Sequence, residues 1–547
     1  MLDSGKEQIP VSIVGGSNFG IHTKVNAEKT FNMFVSDKWF LDFPGFKVVT
    51  NIRRNATGGP NASSLGAGRG LFLSTRGGFV LSVVNSEVYR IDANLKPRLV
   101  GSIDTGAGEV FMDENLSKQI CLVDGVNVYI ISYVGSATTL TKQVVTADLI
   151  PSYVEYHNSF FLIANAKSTV DSTKWYVFQF LAATTIAQVT AANGGEHTLQ
   201  TKPDYPIAIK RIPGQSDNIL VLGTTVCEIY QHVGGLQNYR RVSSLSIDYG
   251  CQNVSTIASS DKYIAWLATN EDNAPVIMVY GEGGTTVIST DGIEHLLSRL
   301  KNPEKSTAYF TRQGGHLFYC LTFFGEENSF TIAYDFNSKM FFNLSDADLS
   351  YHPMRQLVFF DSKVDIGKTY FVSLKNTLLY ELDFDATTYD ENRPDEVRDE
   401  AKVHEIPRLR FTNSIRKANS GRYIADSFVM TIDQGNDPIT SQSDIDNACN
   451  DFIIDEDEID IITEQGQSTV TEDSTECIVY RQAVDCAISK NGGATYSSFV
   501  RRELNPIGKR KNILRWSRMG QANDLTIQLR FWGKHHFVVN DGYVEIT

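Results

Sequence analysis

The sequence predicts an all-β protein in which a β-propeller of six or seven blades precedes a C-terminal antiparallel β-sandwich-like domain. The main observation is an apolar hairpin that recurs seven times between Gly78 and Phe384. The second run of each hairpin has a tyrosine or tryptophan near its centre. Successive aromatics are separated by 40, 46, 55, 50, 54 and 46 residues. Self-similar β units at roughly 40 to 50 residues are typical of propeller blades.

These aromatics serve as blade markers. They are Tyr89, Tyr129, Trp175, Tyr230, Tyr280, Tyr334 and Tyr380. In the first copy, residues 79–84 and 87–91 are apolar runs and Asn85-Ser86 is the turn between them. We therefore expect residues 71–385 to form one closed propeller with the markers on equivalent strands. The repeats lack the fixed dipeptides of common propeller families, so six and seven blades both remain open.

Residues 1–70 form an N-terminal segment with few turn-bounded strands, and packing of this segment against the C-terminal domain remains open. The Gly/Ser/Pro-rich stretch 58–70 is typical of a loop or hinge before the first blade. Helical periodicity is scarce. The best candidate is residues 292–300, where Ile293, Leu296, Leu297 and Leu300 share one face.

Residues 386–547 form the C-terminal domain, entered through a charged stretch that is poor in core residues. Its apolar runs predict strands at residues 408–411, 427–432, 478–488, 499–504, 512–516 and 525–531. An acidic insert spans residues 437–476, within an interval from Arg422 to Arg481 that contains no other Lys or Arg. The insert is interpreted as a docking arm, a loop facing a lumen, or a solvated insertion.

The composition excludes several classes of protein. A net charge of −14 argues against nucleic-acid binding through a broad basic face. The first residues have no apolar signal region, and no stretch approaches the roughly 18 to 20 apolar residues of a membrane helix. The seven cysteines are odd in number and none form a Cys-x-x-Cys pair, so we expect reduced thiols and folding in a cytosol-like compartment.

No catalytic or metal-binding constellation is predicted, so the chain is expected not to be an enzyme and to need no cofactor. The stretch 489–496 approximates the Ser-x-Asp-x-Gly-x-Thr-Trp box of sialidase-like propellers, with Asn491 and Tyr496 as the departures. In those proteins the box is a hairpin turn, and we expect a structural turn here. His535 and His536 are neighbours on a predicted strand and point to opposite faces, which makes them a poor metal pair.

A basic cluster near the C-terminus is the candidate functional surface. It comprises Arg501, Arg502, Lys509, Arg510, Lys511, Arg515 and Arg518. It lies close in sequence to the acidic insert, and opposite charges within one domain suit docking between copies of the chain or onto an adaptor. A solvated strand face is the alternative.

Several segments resemble the tail hub proteins of short-tailed bacteriophages, also called packaged-DNA stabilisation proteins. The N-terminal phrase Asn32-Met33-Phe34 is followed by the turn Pro44-Gly45, as in that family. Residues 219–230, with Glu228 before the marker Tyr230, are similar to the family's blade hairpin. Residues 244–251, 274–280, 293–300, 491–492, 501–516 and 525–531 follow in the family's order and spacing. The acidic insert and longer blades depart from the pattern.

The resemblance implies a structural virion protein: a tail hub or nozzle, hexameric, below the portal and adaptor rings of a podovirus-like virion. Such a protein retains the packaged genome and forms the channel for its ejection. The implied partners are further copies of the chain, the head-to-tail adaptor, other tail components (fibre, spike or needle/plug) and passing double-stranded DNA, without a membrane span. The implied location is the virion tail, assembled in the host cytoplasm.

Two alternatives remain. A sialidase-like propeller glycosidase acting on host surface glycans would need inward-facing carboxylates near an Arg or Tyr. A monomeric propeller scaffold for other proteins would share the fold without the ring. An acidic or near-neutral channel tolerates DNA because few Lys or Arg are present to replace its condensed counterions.

Overall fold

The protein is described from a computed structural model. It describes residues 7–20, 28–37, 39–53, 66–143, 149–165, 173–178, 194–234, 238–363, 367–383, 388–390, 403–417, 421–434, 483–504, 511–532 and 537–547. Nearly all regular structure in these residues is β-strand. The N-terminal strands are β1 (Glu7–Val11), β2 (Lys29–Phe31), β3 (Met33–Ser36), β4 (Trp39–Asp42) and β5 (Gly45–Asn51). The sequence predicted few strands here, whereas β1, β2 and β5 extend the sheets of the two domains and β3 and β4 pair with each other.

Five antiparallel sheets follow one another along the chain. The first contains β6 (Gly68–Ser74), β7 (Phe79–Val84), β8 (Glu87–Ile91) and β9 (Pro97–Ser102). The second contains β10 (Phe111–Glu114), β11 (Gln119–Val123), β12 (Val128–Val134) and β13 (Ala137–Lys142). The third contains β14 (Pro151–His157), β15 (Phe160–Asn165), β16 (Lys174–Phe178) and β17 (Gly194–Thr198). The fourth contains β18 (Ala208–Arg211), β19 (Asn218–Leu222), β20 (Cys227–His232) and β21 (Tyr239–Ile247). The fifth contains β22 (Gly250–Cys251), β23 (Ala258–Ser259), β24 (Ile264–Thr269), β25 (Val276–Gly281) and β26 (Gly284–Val287).

The sixth and seventh sheets complete the ring and carry additional strands. The sixth contains β27 (Ser306–Gln313), β28 (His316–Phe323), β29 (Phe330–Asp335) and β30 (Met340–Leu344). The seventh contains β31 (Met354–Phe360), β32 (Lys368–Ser373) and β33 (Leu378–Asp383), and its fourth strand is β5. Beyond β5 lie β34 (Thr388–Asp390) and β35 (Val403–Glu405). The inner strand β31 packs against β6, so the last sheet meets the first.

The structure therefore has seven blades, and β5 supplies the outer strand of the seventh by pairing antiparallel with β33. This strand lies before residue 71, where the sequence placed the start of the propeller. All seven marker aromatics lie on the third strand of their blade, as predicted. Both faces of the middle strands are buried; all six residues of β7 are inaccessible, because each blade packs against two neighbours.

The helix predicted at residues 292–300 is present as α1 (Asp291–Leu297) between the fifth and sixth blades. Ile293 and Leu297 are buried, and Leu300 packs partly buried against the same core. A short 3-10 helix, Val254–Thr256, lies in the fifth blade. No helix of the described residues is long and apolar enough to cross a membrane.

The C-terminal strands form two sheets that share one core. They are β36 (Arg408–Phe411), β37 (Tyr423–Gln434), β38 (Ala483–Ser489), β39 (Val500–Glu503), β40 (Lys511–Ala522), β41 (Thr526–Trp532) and β42 (Phe537–Ile546). One sheet has the order β1-β42-β37-β40, and the other has the order β36-β41-β38-β39. Phe428 and Trp516 of the first sheet and Leu529 and Phe531 of the second lie in the same buried cluster. This is the predicted sandwich.

Strand β42 was not predicted, because Asn540-Asp541-Gly542 is a turn signal in the sequence. The structure keeps the strand continuous and absorbs the irregularity through a register shift opposite Thr431 and Ile432. The residues predicted as strands at 408–411, 427–432, 499–504, 512–516 and 525–531 all overlap observed strands.

Strand β2 joins the two domains. It pairs in parallel with β30 of the sixth blade and antiparallel with β36 of the sandwich, which makes one nine-stranded sheet. Directly after β2, Asn32 adopts a left-handed backbone with φ of 56° and is buried. Its side-chain amide donates to Ser345 Oγ and to the Pro407 carbonyl, both at 2.9 Å, and its Oδ1 accepts from the Ser345 backbone N–H at 2.8 Å. The residue thus ties the blade to the sandwich.

We expect Asn32→Ala to lower the stability of the joint. The substitution leaves three buried polar groups without their hydrogen-bond partner. It also places alanine, whose side chain cannot form a hydrogen bond, in a left-handed backbone conformation. Together the two effects should lower the free energy of unfolding by about 2–4 kcal/mol. The midpoint of urea unfolding measures the change. Asn94→Ala, at an exposed turn position, is the control and should stay within about 0.5 kcal/mol of the unmodified protein. Equal midpoints for the two variants would contradict the assigned role of Asn32.

Candidate functional site

The basic residues predicted as a functional surface lie on two edge strands of the sandwich. Arg501 and Arg502 are on β39, the edge of one sheet, whereas Arg515 and Arg518 are on β40, the edge of the other. Lys511 begins β40. Lys509 and Arg510 lie outside the described residues. The structure therefore places four of the predicted arginines on the two edge strands of the sandwich.

Arg501 is held within its own sheet. Its Nε and Nη2 donate to the two carboxylate oxygens of Asp485 at 2.9 and 3.3 Å. Its guanidinium lies 5.1 Å from the centre of the Trp532 ring, and that of Arg530 lies 3.7 Å from the same ring. A two-point ion pair beside an aromatic face fixes an arginine in one orientation. Arg501 is thus a structural member of the cluster.

Arg502 and Trp516 connect the two edge strands, because each side chain donates to a backbone carbonyl of the other strand. Arg502 Nε donates to the Arg515 carbonyl at 3.0 Å, and Trp516 Nε1 donates to the Val500 carbonyl at 2.7 Å. Because edge strands present carbonyl groups with no strand partner, these side chains satisfy one group on each edge. This pair holds the two sheets together along their open side.

Arg515 and Arg518 line a shallow groove on the outer face of the first sheet. Arg515 Nη2 donates to Glu545 Oε2 at 2.6 Å, although more than half of the Arg515 side chain is exposed. Arg518 sits at φ of 64°, where β40 shifts register against β37. The groove measures about 370 Å³ and also includes Asp426 and Ser517. The groove is therefore lined by both acidic and basic side chains.

Sequence reasoning identified the cluster but missed its acidic partners. Asp485 precedes Arg501 by 16 residues, and Glu545 follows Arg515 by 30. Only the pairing of β38 with β39, and of β37 with both β40 and β42, brings these charges together. No spacing rule within one strand predicts such contacts.

A second polar network fills the propeller axis. Glu109 lies just before β10, the inner strand of the second blade. Its carboxylate accepts a hydrogen bond from Thr307 Oγ1 of the sixth blade at 3.0 Å. Its other oxygen accepts from Gln356 Nε2 of the seventh blade at 2.5 Å, and Arg355 Nε lies 3.9 Å away. The first and seventh blades separate the second from the sixth, so Glu109 reaches across the axis. The carboxylate is buried, and it bridges inner strands on nearly opposite sides of the ring.

Burial raises the pKa of Glu109 above its ordinary value, against the opposing effect of Arg355 and of its hydrogen-bond donors. Desolvation penalises the charged form, so ionisation of Glu109 is less favourable here than in water. Its network is completed by Gln356 Oε1, which accepts from the Leu71 backbone N–H of the first blade at 2.8 Å. Three blades are therefore linked to the second through two polar side chains.

A third network joins the inner strands of the second, third and fourth blades. Glu155 accepts from Lys210 Nζ at 2.9 Å and from Arg211 Nε at 2.7 Å, while Arg211 also lies 3.7 Å from Asp113. Burial raises the pKa of Glu155, but Lys210 and Arg211 outweigh burial and hold it below its ordinary value. Burial and the neighbouring Glu155 raise the pKa of Asp113 to about 6. These charges neutralise one another within the chain.

The remaining motifs have structural explanations in the described residues. Residues 489–496 form the predicted turn: Ser489 Oγ accepts from the Gly493 N–H at 2.9 Å, and Asn491 Oδ1 accepts from the Thr495 N–H at 3.0 Å. Tyr496 packs edge-on against Phe411 with ring centres 5.6 Å apart. In the part of the chain that the structure describes, no group of three His, Cys, Asp or Glu side chains is arranged to hold a metal ion.

The cysteines within the described ranges are buried free thiols. They are Cys121, Cys227, Cys251, Cys320 and Cys486. Burial raises the pKa of the Cys251 and Cys486 thiols to about 12. Because the thiolate is the reactive form, these thiols are unreactive near neutral pH. Cys449, Cys477, His535 and His536 lie outside the described residues.

The axis network makes a prediction about pH. Because the pKa of Glu109 is raised in the folded protein, the stability that the protonated form provides is lost as pH rises from about 4.5 through the raised value. Glu109→Gln keeps an acceptor without the charge, so the variant should not lose this stability as pH rises. The difference between its urea midpoint and that of the unmodified protein should therefore increase, in favour of the variant, from pH 5 to pH 8. Glu109→Ala should be less stable than either at both values, because it also opens a cavity. Urea unfolding measures both changes, and an equal loss for Gln and Ala at pH 8 would identify the ion pair with Arg355 as stabilising.

Comparison with curated proteins gives no match. Among solved structures, a streptogramin B lyase is 11% identical, with 59% of this chain and 95% of that chain covered at a TM-score of 0.37. The Pan2 WD40 domain of Neurospora crassa is 10% identical, with 64% and 97% covered at a TM-score of 0.38. An inactive virginiamycin B lyase from Staphylococcus aureus is 12% identical, with 59% and 96% covered at a TM-score of 0.38. These TM-scores are too low to support an inference about function.

A family model described as bacteriophage P22 Gp10, beta-propeller, matches residues 26–385. The match covers more than half of the chain. It includes Asn32 at the joint, the closing strand β5 and every strand of the seven blades up to β33. The chain therefore belongs to the phage stabilisation family of β-propeller proteins.

Proposed function

We propose that this phage structural protein is a tail hub or nozzle. In this proposal several copies form a ring below the portal and adaptor, and the family resemblance implies six copies. The ring retains the packaged DNA and surrounds the channel for its ejection. The family match across the whole propeller is the observation that carries the structural role. The adaptor, the fibre or spike, and a needle or plug are the proposed tail partners, and the virion tail is the proposed location.

The filled axis supports a channel between copies. Glu109 and its partners occupy the centre of the propeller, so a DNA duplex cannot follow that axis within one chain. Heterologous contacts between identical subunits generate a closed ring when the rotation closes. A passage of this kind is lined by outer surfaces of the subunits and not by the inner strands of their blades.

The charge distribution supports the same assembly. Residues 423–480 contain 15 acidic residues and no basic ones, so the rest of the chain carries +1 of the net −14. The negative charge that would repel neighbouring copies is therefore concentrated in residues 423–480, and the rest of each subunit has a net charge close to zero. We propose the cluster of Arg501, Arg502, Lys509, Arg510, Lys511, Arg515 and Arg518 as the surface that meets another subunit or the adaptor, because complementary charges steer and register subunits.

The glycosidase alternative has no observation in its favour among the described residues. Two carboxylates among the inner strands, Glu109 and Glu155, are buried in networks with Thr307, Gln356, Lys210 and Arg211. A glycosidase acid and nucleophile must reach a sugar in an open cleft. Hydrolysis of a glycan that is abolished by substitution of one carboxylate would favour the alternative.

We expect the purified protein to assemble and to bind DNA weakly. Light scattering coupled to size exclusion should give a mass near six times 60.9 kDa, about 365 kDa, or a concentration-dependent approach to it. Binding to duplex DNA at physiological salt should be no tighter than nonspecific contact, because few cations are free to replace counterions. A single-copy mass at every concentration would contradict the ring, and tight DNA binding would identify the arginines as a nucleic-acid site.

A further inference from the structure

We propose that Ser36, His316 and Asp335 form a catalytic triad that hydrolyses carboxylic esters of small acyl groups. This activity is additional to the tail-hub role proposed above and does not depend on the number of copies in the assembly. Three observations support it: the hydrogen-bonded order of the three side chains, the packing that fixes the carboxylate and the imidazole, and the groups that the hairpin of β3 and β4 places beside the serine.

The three side chains form one hydrogen-bonded chain where this hairpin meets the sixth blade. Ser36 ends β3, His316 begins β28 and Asp335 ends β29. His316 Nδ1 lies 2.8 Å from Asp335 Oδ2, and His316 Nε2 lies 3.2 Å from Ser36 Oγ. An imidazole between a carboxylate and a hydroxyl can take the hydroxyl proton as the hydroxyl attacks a carbonyl carbon. Ser36 and His316 are 280 residues apart, so no motif in the sequence predicted their contact.

The carboxylate of Asp335 fixes the position of the imidazole proton. Its Oδ1 accepts from the Asn337 N–H at 3.0 Å, and its Oδ2 accepts from the Ser338 N–H at 3.1 Å and from Ser338 Oγ at 2.6 Å. Because an ionised carboxylate only accepts hydrogen bonds, the proton shared with His316 lies on Nδ1. The lone pair of Nε2 is therefore directed toward Ser36, as a general base requires.

Packing holds the imidazole in this orientation. The ring centre of Phe34 lies 5.1 Å from that of His316, and the ring centre of Phe318 lies 6.1 Å from it. The His316 side chain is only 11% exposed, whereas Ser36 is partly exposed at the end of its strand. A catalytic base needs neighbours that lock its geometry. The proposed nucleophile is thus open to solvent, and its base is shielded.

The hairpin that carries Ser36 also offers groups for binding an ester. Ser36 pairs directly with Trp39, so the two side chains lie on the same face of the hairpin. Trp39 is 39% exposed and provides an apolar surface for an acyl group. Asp37 follows Ser36 with φ of 53°, and its N–H lies outside the pairing of β3 with β4. In one class of serine hydrolase the N–H after the nucleophile stabilises the oxyanion.

The proposed reaction is acyl transfer to Ser36 and then to water. Ser36 Oγ bonds to the carbonyl carbon of the ester as its proton passes to His316 Nε2. The carbon–oxygen bond to the alcohol then breaks, and the alcohol leaves with that proton. Water gives a proton to His316 as it attacks the acyl-serine, and the carboxylic acid leaves as the Ser36 hydroxyl regains the proton. One ester and one water are consumed.

Covalent labelling tests the nucleophile in the full-length protein. A fluorophosphonate phosphonylates an activated serine hydroxyl and releases fluoride. We expect one label for each chain, and peptide mass spectrometry should locate it on Ser36. Ser36→Ala removes the acceptor of the label and should abolish this labelling. His316→Gln removes the base, so it should lower the labelling rate at least about tenfold.

Hydrolysis of para-nitrophenyl acetate tests turnover. The unmodified protein should release para-nitrophenol and become acetylated on Ser36. Asp335→Asn presents an amide N–H to His316 Nδ1 and so favours the wrong tautomer of the imidazole. This variant should lower kcat by about 10²-fold or more while KM stays unchanged, because Asp335 positions the base and does not touch the ester.

A matched control separates the triad from exposed serines in general. Ser298→Ala removes an exposed hydroxyl that donates to the His295 carbonyl, and it should leave labelling and hydrolysis unchanged. Thermal unfolding checks that each variant is folded. If His316→Gln or Asp335→Asn unfolds early, Ser36→Ala alone decides, since this partly exposed position loses only its hydroxyl.

The outcomes are independent of assembly. Labelling and acetylation of Ser36 that are lost in Ser36→Ala support the triad. An unmodified protein that takes no label, or a label that Ser36→Ala leaves in place, overturns it. Labelling of Ser36 at the same rate in a folded His316→Gln variant also overturns it, and the contact then only docks the hairpin on the sixth blade. The tail-hub proposal is tested separately, by the mass of the assembly.

Discussion

The position of the sandwich on the propeller depends on the buried amide of Asn32. Its side chain contacts Ser345 after the sixth blade and Pro407 before the sandwich, while its backbone N–H and carbonyl bond to Asn343 and Phe43. The strand before it, β2, pairs with both domains. A residue in the left-handed conformation is needed because the chain turns here between two strands, and asparagine accepts that conformation at lower cost than a branched residue. The family resemblance at residues 32–34 therefore corresponds to a folding requirement.

Buried polar groups determine much of the arrangement around this joint. Arg410 is fully buried and donates to Glu28 at 2.6 Å, to the Gly16 carbonyl at 2.9 Å and to Thr30 Oγ1 at 3.1 Å. Burial lowers the pKa of Arg410, against the opposing effect of Glu28. Removing one partner of such a network is costly because the other is left buried and unpaired. Glu109 in the axis follows the same rule: it fixes blades that are not neighbours, which hydrophobic packing alone does not specify.

The sequence allowed prediction of elements whose signal is local. The markers from Tyr89 to Tyr380 located the third strand of every blade, and residues 489–496 identified a turn, because both depend on neighbours along the chain. The blade number needed β5, whose partner β33 is more than 300 residues away and leaves no periodic signal. The arginines near the C-terminus were found by composition, but their pairing with Asp485 and Glu545 depends on strand register. Glu109 had no signal in sequence, since a lone glutamate reads as a surface residue until the ring closes around it.

Closure of the seventh blade by β5 also sets an order of events during synthesis. Gly45 pairs with Asp383, so β5 leaves the ribosome 338 residues before the strand that receives it. At roughly 5 to 20 residues per second, this strand waits about 17 to 70 s for its partner. The ring cannot close before residue 383 has been synthesised, and six complete blades precede the closing step. During that interval the strands at both ends of the series of blades have no partner. The waiting time is set by the topology of the chain, so a more stable blade does not shorten it.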